Sequence, residues 1–422
     1  MIDKPLTLLG EDGAVIDGPM FSALIRVVSD DVTISGLAFN VRKWGVMAVQ
    51  SSGLTLEGCS FTLAEERCRT SSTAMWMEAM KNCVIRDCSF TGLGVCVAGD
   101  PLSESSSGKA VLTGLCEVGE DLDYFVSHTI ENCTVNGKPL YYITGGKDVV
   151  VPEDAGGLIA ACCDGITARN LDVSDNSMGL EIVHSQNVVL ENVTADRCGV
   201  FGTYVAFAEG GRFTNVAVRD TNHGMDTRAS SDIIVENCLV LDCEQGIFFS
   251  LCTDCVMRDC IVRSCGFGCF AAVGSGLSIS NCVFANNADG IYLQNEGMTT
   301  IAGCVITGST VVGLRVLKSK CDAANLSISN NWTGVIVYDA QDVAFKGCAF
   351  DSNQCVGLYA AYARDASISG CILSGETPAH FEFDGTFENA QIHDCILSGA
   401  EADMVRLKSG NAPLMYENRW GD

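Results

Sequence analysis

A repeat close to 22 residues long runs through most of this 422-residue chain and constrains its fold more than any other feature. One equivalent position falls at Leu171, Val193, Val216, Cys238, Cys260, Cys282, Cys304, Leu326, Cys348, Cys371 and Cys395, in steps of 22, 23, 22, 22, 22, 22, 22, 22, 23 and 24 residues. Leu37, Cys59, Cys88 and Cys133 are earlier copies, spaced more widely where loops are inserted. Each unit opens with a glycine and alternating residues, as in Gly290-Ile291-Tyr292-Leu293. A second alternating run follows, as in Leu277-Ser278-Ile279, and a third surrounds the ladder position. Period-two alternation marks strands with one buried face, and no helical period is sustained. Three short strands per unit are one coil of a parallel β-helix, and about sixteen coils stacked ~4.8 Å apart would use the chain.

Length alone would suggest roughly three domains. The repeat replaces them with one all-β solenoid over 1–422. Its N-terminal coils lie at 1–62, coils with long insertions at 63–156, regular coils at 157–399, and a C-terminal coil and cap at 400–422. Asn287, Asn331 and Asn353 share one register and are expected to stack as a side-chain ladder.

The 24 cysteines follow from the same ruler. Ten of the fifteen ladder positions hold Cys and the others Leu or Val, the interchange of a small buried apolar site. Packing is therefore the favoured role. A metal reading of Cys252-Thr-Asp-Cys255 is the alternative, but Cys255 takes the inward position held by Ile233 and Leu277 in other coils. Five His (128, 184, 223, 380, 393) and twelve Met show no clustered ligand pattern, so no metal or other cofactor is expected. Lys and Arg number 26 against 52 Asp and Glu, a formal charge of 26 − 52 = −26, which argues against a nucleic-acid partner. No apolar run approaches the ~20 residues of a membrane span, and no signal peptide opens the chain.

Asp3-Lys4-Pro5-Leu6-Thr7-Leu8-Leu9-Gly10 through Gly18 resembles the first strand of NosD-like β-helix proteins, the carbohydrate-binding and sugar-hydrolysis repeat group. Asn136-Gly137-Lys138-Pro139-Leu140-Tyr141-Tyr142, Val151-Pro152-Glu153-Asp154-Ala155-Gly156 and Gly165 to Ser174 extend the resemblance. It implies a right-handed, pectin-lyase-like parallel β-helix, often exported to the cell surface or beyond. Members range from surface proteins and a copper-delivery accessory protein to carbohydrate enzymes. This sequence places Cys where many relatives place Asn. That many unpaired thiols also suit a reducing or anaerobic setting, so the compartment stays open.

Function is expected on an outward column two residues after the repeat glycine: Glu181, Tyr204, Asp226, Phe248, Phe270, Tyr292, Arg315, Ile336 and Tyr359. Outward rings suit sugar faces or a protein partner, so Tyr204, Phe248, Phe270, Tyr292 and Tyr359 are the binding candidates. This supports a non-enzymatic scaffold that recognises carbohydrate or a cell-surface partner. The alternative is a glycoside hydrolase or polysaccharide lyase. Glu181 and Asp226, two coils or ~9.6 Å apart, would then be its carboxylates. His184 and Arg228 would assist, and a lyase would bring Ca²⁺ to the acidic residues. Insertions at about 63–81, 97–128 and 138–156 would wall one end of such a groove.

Overall fold

The computed structural model describes residues 1–20, 22–99, 121–398 and 404–421. It is an all-β parallel solenoid of about 18 turns with almost no helix. The ladder read from Leu37 to Cys395 leaves out turns such as the last, where Asn418 takes the rung and its Oδ1 accepts from Cys395 N at 3.0 Å. The chain packs as two compact units: Met1–Arg212 with Val216–Asp226, and Phe213–Asn215 with Thr227–Asp422.

The first unit contains two stacks of coils. In the first stack, strands Leu6–Leu9, Val32–Ser35, Thr55–Glu57, Val84–Arg86 and Thr129–Glu131 pair in parallel register. Ala23–Val27, Trp44–Val49, Thr73–Glu78 and Val95–Ala98 form another of its sheets. Phe39, Phe61 and Phe90 occupy equivalent inward positions and stack at 4.4 and 5.4 Å between centroids. Full burial of each such ring contributes about 1.5–3 kcal/mol. The stack ends at an antiparallel pairing of Thr134 with Pro139 and Val135 with Lys138. The second stack then begins with Lys138–Thr144, Gly157–Ala161, Met178–Val183 and Phe201–Ala206 in parallel.

The second unit repeats the three-strand coil with less interruption. Its glycine-led strands include Gln245–Ser250, Phe267–Ala272, Asp289–Gln294, Val312–Leu317, Thr333–Tyr338 and Val356–Ala361, each pairing with the next. Asn287, Asn331 and Asn353 are wholly buried, as their register requires. Cys265 N donates to Asn287 Oδ1 at 2.9 Å, Ser309 N to Asn331 Oδ1 at 2.9 Å, and Asn331 N to Asn353 Oδ1 at 3.2 Å. Ser309 fills the rung between Asn287 and Asn331, so the ladder is amide–hydroxyl–amide there.

All 23 described cysteines are unbridged thiols, and those at the ladder positions are buried. The residue before each ladder Cys turns the corner with positive φ, as at Asn237, Asp259, Asn281 and Asp394. Asn, Asp and Gly tolerate this conformation best, which is why they precede the thiols. The thiol then closes the corner by donating to the carbonyl two residues back. Cys88 reaches Arg86 O at 3.2 Å, Cys260 reaches Arg258 O at 3.2 Å, and Cys282 reaches Ser280 O at 3.2 Å. A thiol thus packs like Val while giving the turn a weak donor.

Candidate functional site

The expected column keeps its register but not its openness. Ile159, Glu181 and Tyr204 are direct partners across neighbouring strands, as the repeat requires. Yet Glu181 is 0% exposed, Tyr204 1%, Asp226 1% and Arg228 7%. The expectation that these side chains face solvent is therefore corrected. Strand Val95–Ala98 lies over Met178–Val183: Val97 N donates to Glu181 Oε2 at 3.2 Å, and Gly94 N donates to Ser177 Oγ at 2.8 Å. The approach is so close that a Cβ on Gly94 would stand 1.9 Å from Asn176 Oδ1. The cause is visible in the covering strands. Thr73–Met77 and Val95–Ala98 are buried on both faces. Their second apolar side has to be covered as well.

Burial changes the chemistry of Glu181. Oε2 has the Val97 amide, whereas Oε1 is buried without a hydrogen-bond partner among the described residues. Desolvation pushes its carboxyl up to about 8, partly opposed by the Val97 amide. Burial thus favours its neutral acid form, and the side chain is sealed from any polymer. Asp226 is held in a second buried contact, with Oδ2 3.1 Å from His223 Nδ1. The His223 ring packs 4.7 Å from Phe201, which also meets Tyr204 at 4.9 Å. His184 sits at the end of its strand with φ of 48° and stacks on Phe207 at 4.7 Å. Protein thus surrounds three of the four catalytic candidates, Glu181, Asp226 and Arg228, while His184 is half-buried.

In the second unit the column is open on one side. Phe248, Phe270, Tyr292 and Tyr359 are half-buried. Phe248 and Phe270 stack at 5.0 Å with an 8° interplanar angle, and Tyr292 meets Phe270 edge-on at 5.0 Å. Phe267 joins from the adjacent position, 5.6 Å from Phe270. Arg228 lies 5.2 Å over Phe248 and Arg315 lies 5.2 Å over Tyr292, so a guanidinium caps each end of the aromatic run. Arg315 is also paired with both oxygens of Asp289 at 3.0 Å. Tyr359 stands apart, with Lys408 5.5 Å over its ring and Asp384 Oδ2 3.5 Å from its hydroxyl.

Residues 124–323 match the family model of the periplasmic copper-binding protein NosD, and residues 272–419 match the right-handed β-helix region model. The chain is a right-handed parallel β-helix, and its residues 124–323 are similar to NosD. No curated protein sequence matches it. Among solved structures it is similar to the Azotobacter vinelandii mannuronan C-5 epimerase AlgE6 A-module: 11% identity, 89% of this chain and 90% of that one, TM-score 0.45. It is also similar to the periplasmic alginate epimerase AlgG, at 10% identity over 92% and 76% with TM-score 0.33. The bacteriophage CBA120 tailspike protein 3 is another, at 13% identity over 87% and 56% with TM-score 0.33.

The described residues of this NosD-like chain do not fit the copper that the family description mentions. No group of three or more His, Cys, Asp or Glu among them has ligating geometry. His128 Nε2 is 2.8 Å from Tyr124 O, His380 Nε2 is 2.8 Å from Ser398 O, and His393 Nδ1 is 2.7 Å from Asp394. The Cys252 and Cys255 thiols donate to Ser250 O at 3.4 Å and Thr253 O at 3.5 Å, as corner thiols do elsewhere. Among the described residues no helix is long and apolar enough to cross a membrane.

Two insertions build a cleft, though not beside the column. The 63–81 insertion supplies Arg69, and the 138–156 insertion supplies Lys138 and Gly156, to a cleft of about 610 Å³ in the first unit. Residues 100–120 of the expected 97–128 insertion, and 399–403 with Asp422 near the C-terminal cap, lie outside the described residues. Of the cleft's charges, the Asp175–Arg197 pair is legible as a rung 22 residues apart, joined at 2.8 and 2.7 Å. Arg69 and Lys138 come from irregular segments, for which the repeat provides no register.

Proposed function

We propose that this NosD-like protein is a non-enzymatic scaffold, extracellular or at the cell surface, that recognises a glycan through Phe248, Phe270 and Tyr292. The observation that carries this reading is the half-exposed aromatic run, with two parallel rings at 5.0 Å and a third edge-on. Such rings offer flat apolar faces to the C–H faces of sugar rings, and successive coils repeat them along a line. The favoured ligand class is a neutral polysaccharide. The chain carries a formal charge of −26, and the Arg315 charge is already matched by Asp289. A polyanion would meet net repulsion. The hydrolase or lyase alternative loses its support, because Glu181 and Asp226 are closed to a polymer. The test is pull-down on insoluble neutral polysaccharides with product analysis. Retention by wild type, its loss in Phe270→Ala, and no released sugar support the reading. Retention unchanged in Phe248→Ala/Phe270→Ala, or steady release of product, refutes it.

A further inference from the structure

Arg315 stands at the end of the aromatic run, and only part of its guanidinium is used by the protein. Nε donates to Asp289 Oδ2 and Nη2 to Asp289 Oδ1, both at 3.0 Å, so the planar fork is fixed in place. The same guanidinium lies 5.2 Å over the Tyr292 ring. Nη1 is left over. It has no hydrogen-bond partner among the described residues, yet it is not one of the partnerless atoms sealed from solvent. The Arg315 side chain is 25% exposed, against 8% for that of Asp289. A rigid, accessible donor therefore sits directly beside the rings.

What such a donor selects follows from its chemistry. A guanidinium donates and never accepts. A sugar hydroxyl beside it can accept, but brings a proton that wants an acceptor of its own. Asp289 does not supply one: both its oxygens hold Arg315 and the residue is only 6% exposed. An amide carbonyl carries no such proton, and its lone pairs suit a donor-only partner. An anionic group gains less, because Arg315 and Asp289 are neutral as a pair in a chain of formal charge −26. The apolar half of the site is equally definite. Phe270 meets Tyr292 edge-on at 5.0 Å, and Phe267 lies 5.8 Å from Tyr292. A donor next to rings thus matches a neutral substituent with a carbonyl on one side and a methyl on the other. The acetamido group of an amino sugar has that form.

We propose that Arg315 is the specificity-determining residue of the aromatic run and selects N-acetylated glycans, the acetamido carbonyl accepting from Nη1 while the methyl rests on the neighbouring rings. This rests on the glycan reading above and narrows it to one substrate class. The test is a depletion isotherm of the full chain on insoluble chitin and on cellulose, polymers whose sugars differ in one substituent, acetamido against hydroxyl. Wild type should bind chitin about tenfold more tightly, the worth of one hydrogen bond to a charged group. Arg315→Lys keeps a cation for Asp289 but loses the spare donor of the fork, and should bring chitin down to the cellulose value without moving cellulose. Circular dichroism establishes that the variant is folded. If it is not, competition on wild type decides: triacetylchitotriose should displace the chain from chitin at about one tenth the concentration of cellotriose. Equal affinity for the two polymers, preference for cellulose, or a chitin preference kept in folded Arg315→Lys overturns the proposal. Retention on any neutral polysaccharide that is lost in Phe270→Ala would still uphold the glycan reading, so the two fail separately.

Discussion

Glu181 and Tyr204 in the first unit, and Phe248, Phe270 and Tyr292 in the second, hold the same place after the repeat glycine, yet their surroundings are opposite. In the first unit strand Val95–Ala98 covers the column, and Tyr204 is 1% exposed. In the second unit the rings stay half-exposed and stack along their own column. A solenoid register therefore assigns direction, not accessibility. Direction is a property of one strand; accessibility depends on what a distant insertion brings over it.

The largest expected effect tests that contrast directly. Tyr204→Ala should lower unfolding stability by about 3–5 kcal/mol, the cost of emptying a packed aromatic site. Phe270→Ala, from a half-exposed site, should cost about 1 kcal/mol by the smaller apolar area it returns to water. Equal losses in denaturant titrations would break the comparison.

Next comes pH. Glu181 has its folded value raised from 4.5 to about 8 by burial, so its contribution to stability is fully present below 4.5 and is lost as pH rises through about 8. Glu296 in the second unit follows the same sign, raised from 4.5 to about 7, with Gly274 N donating to Oε2 at 2.7 Å. At about 1.4 kcal/mol per pH unit of mismatch, wild-type stability should fall by a few kcal/mol between pH 5 and 9. Glu181→Gln keeps the acceptor for Val97 and should flatten part of that slope. A slope unchanged in both Glu181→Gln and Glu296→Gln would mean that neither acid is desolvated.

How much of this was legible in the sequence is decided by where the ruler applies. The ladder, the coil and the amide stack at Asn331 and Asn353 follow from register, because each residue needs only its neighbour 22 positions away. The cover did not follow, because Val97 and Glu181 are 84 residues apart and belong to different stacks. Its trace was present in Ala74-Met75-Trp76-Met77 and Val95-Cys96-Val97-Ala98, where polar alternation is lost and a second apolar face needs a partner. The cleft is less legible still. Lys138 is itself part of the antiparallel pairing that interrupts the repeat.

Smaller effects sharpen the account of the thiols. Cys260→Val should cost about 1 kcal/mol through the lost corner hydrogen bond, although volume is nearly kept. A fully neutral result in thermal melts would reduce the thiol to a filler. Burial pushes the Cys83 thiol up to about 12, so it should resist an aromatic disulfide reagent until the chain unfolds. The smallest expected effect is at the end of the aromatic run. Arg315→Lys keeps a cation beside Asp289 and Tyr292 but loses one of the two parallel bonds, and should cost about 0.5–1 kcal/mol while leaving the Phe248–Phe270 stack intact, read by near-ultraviolet dichroism.

The antiparallel pairing at Thr134–Pro139 has a consequence for how such a chain can grow. It separates two rulers, so a coil duplicated in one stack does not force a matching coil in the other. Within the second unit, whole coils can be inserted or deleted while the cover over Glu181 keeps its own contacts. Each added coil would lengthen the open column by about 4.8 Å, one more rung for a longer ligand. Reach and closure are thus separate evolutionary variables in this molecule.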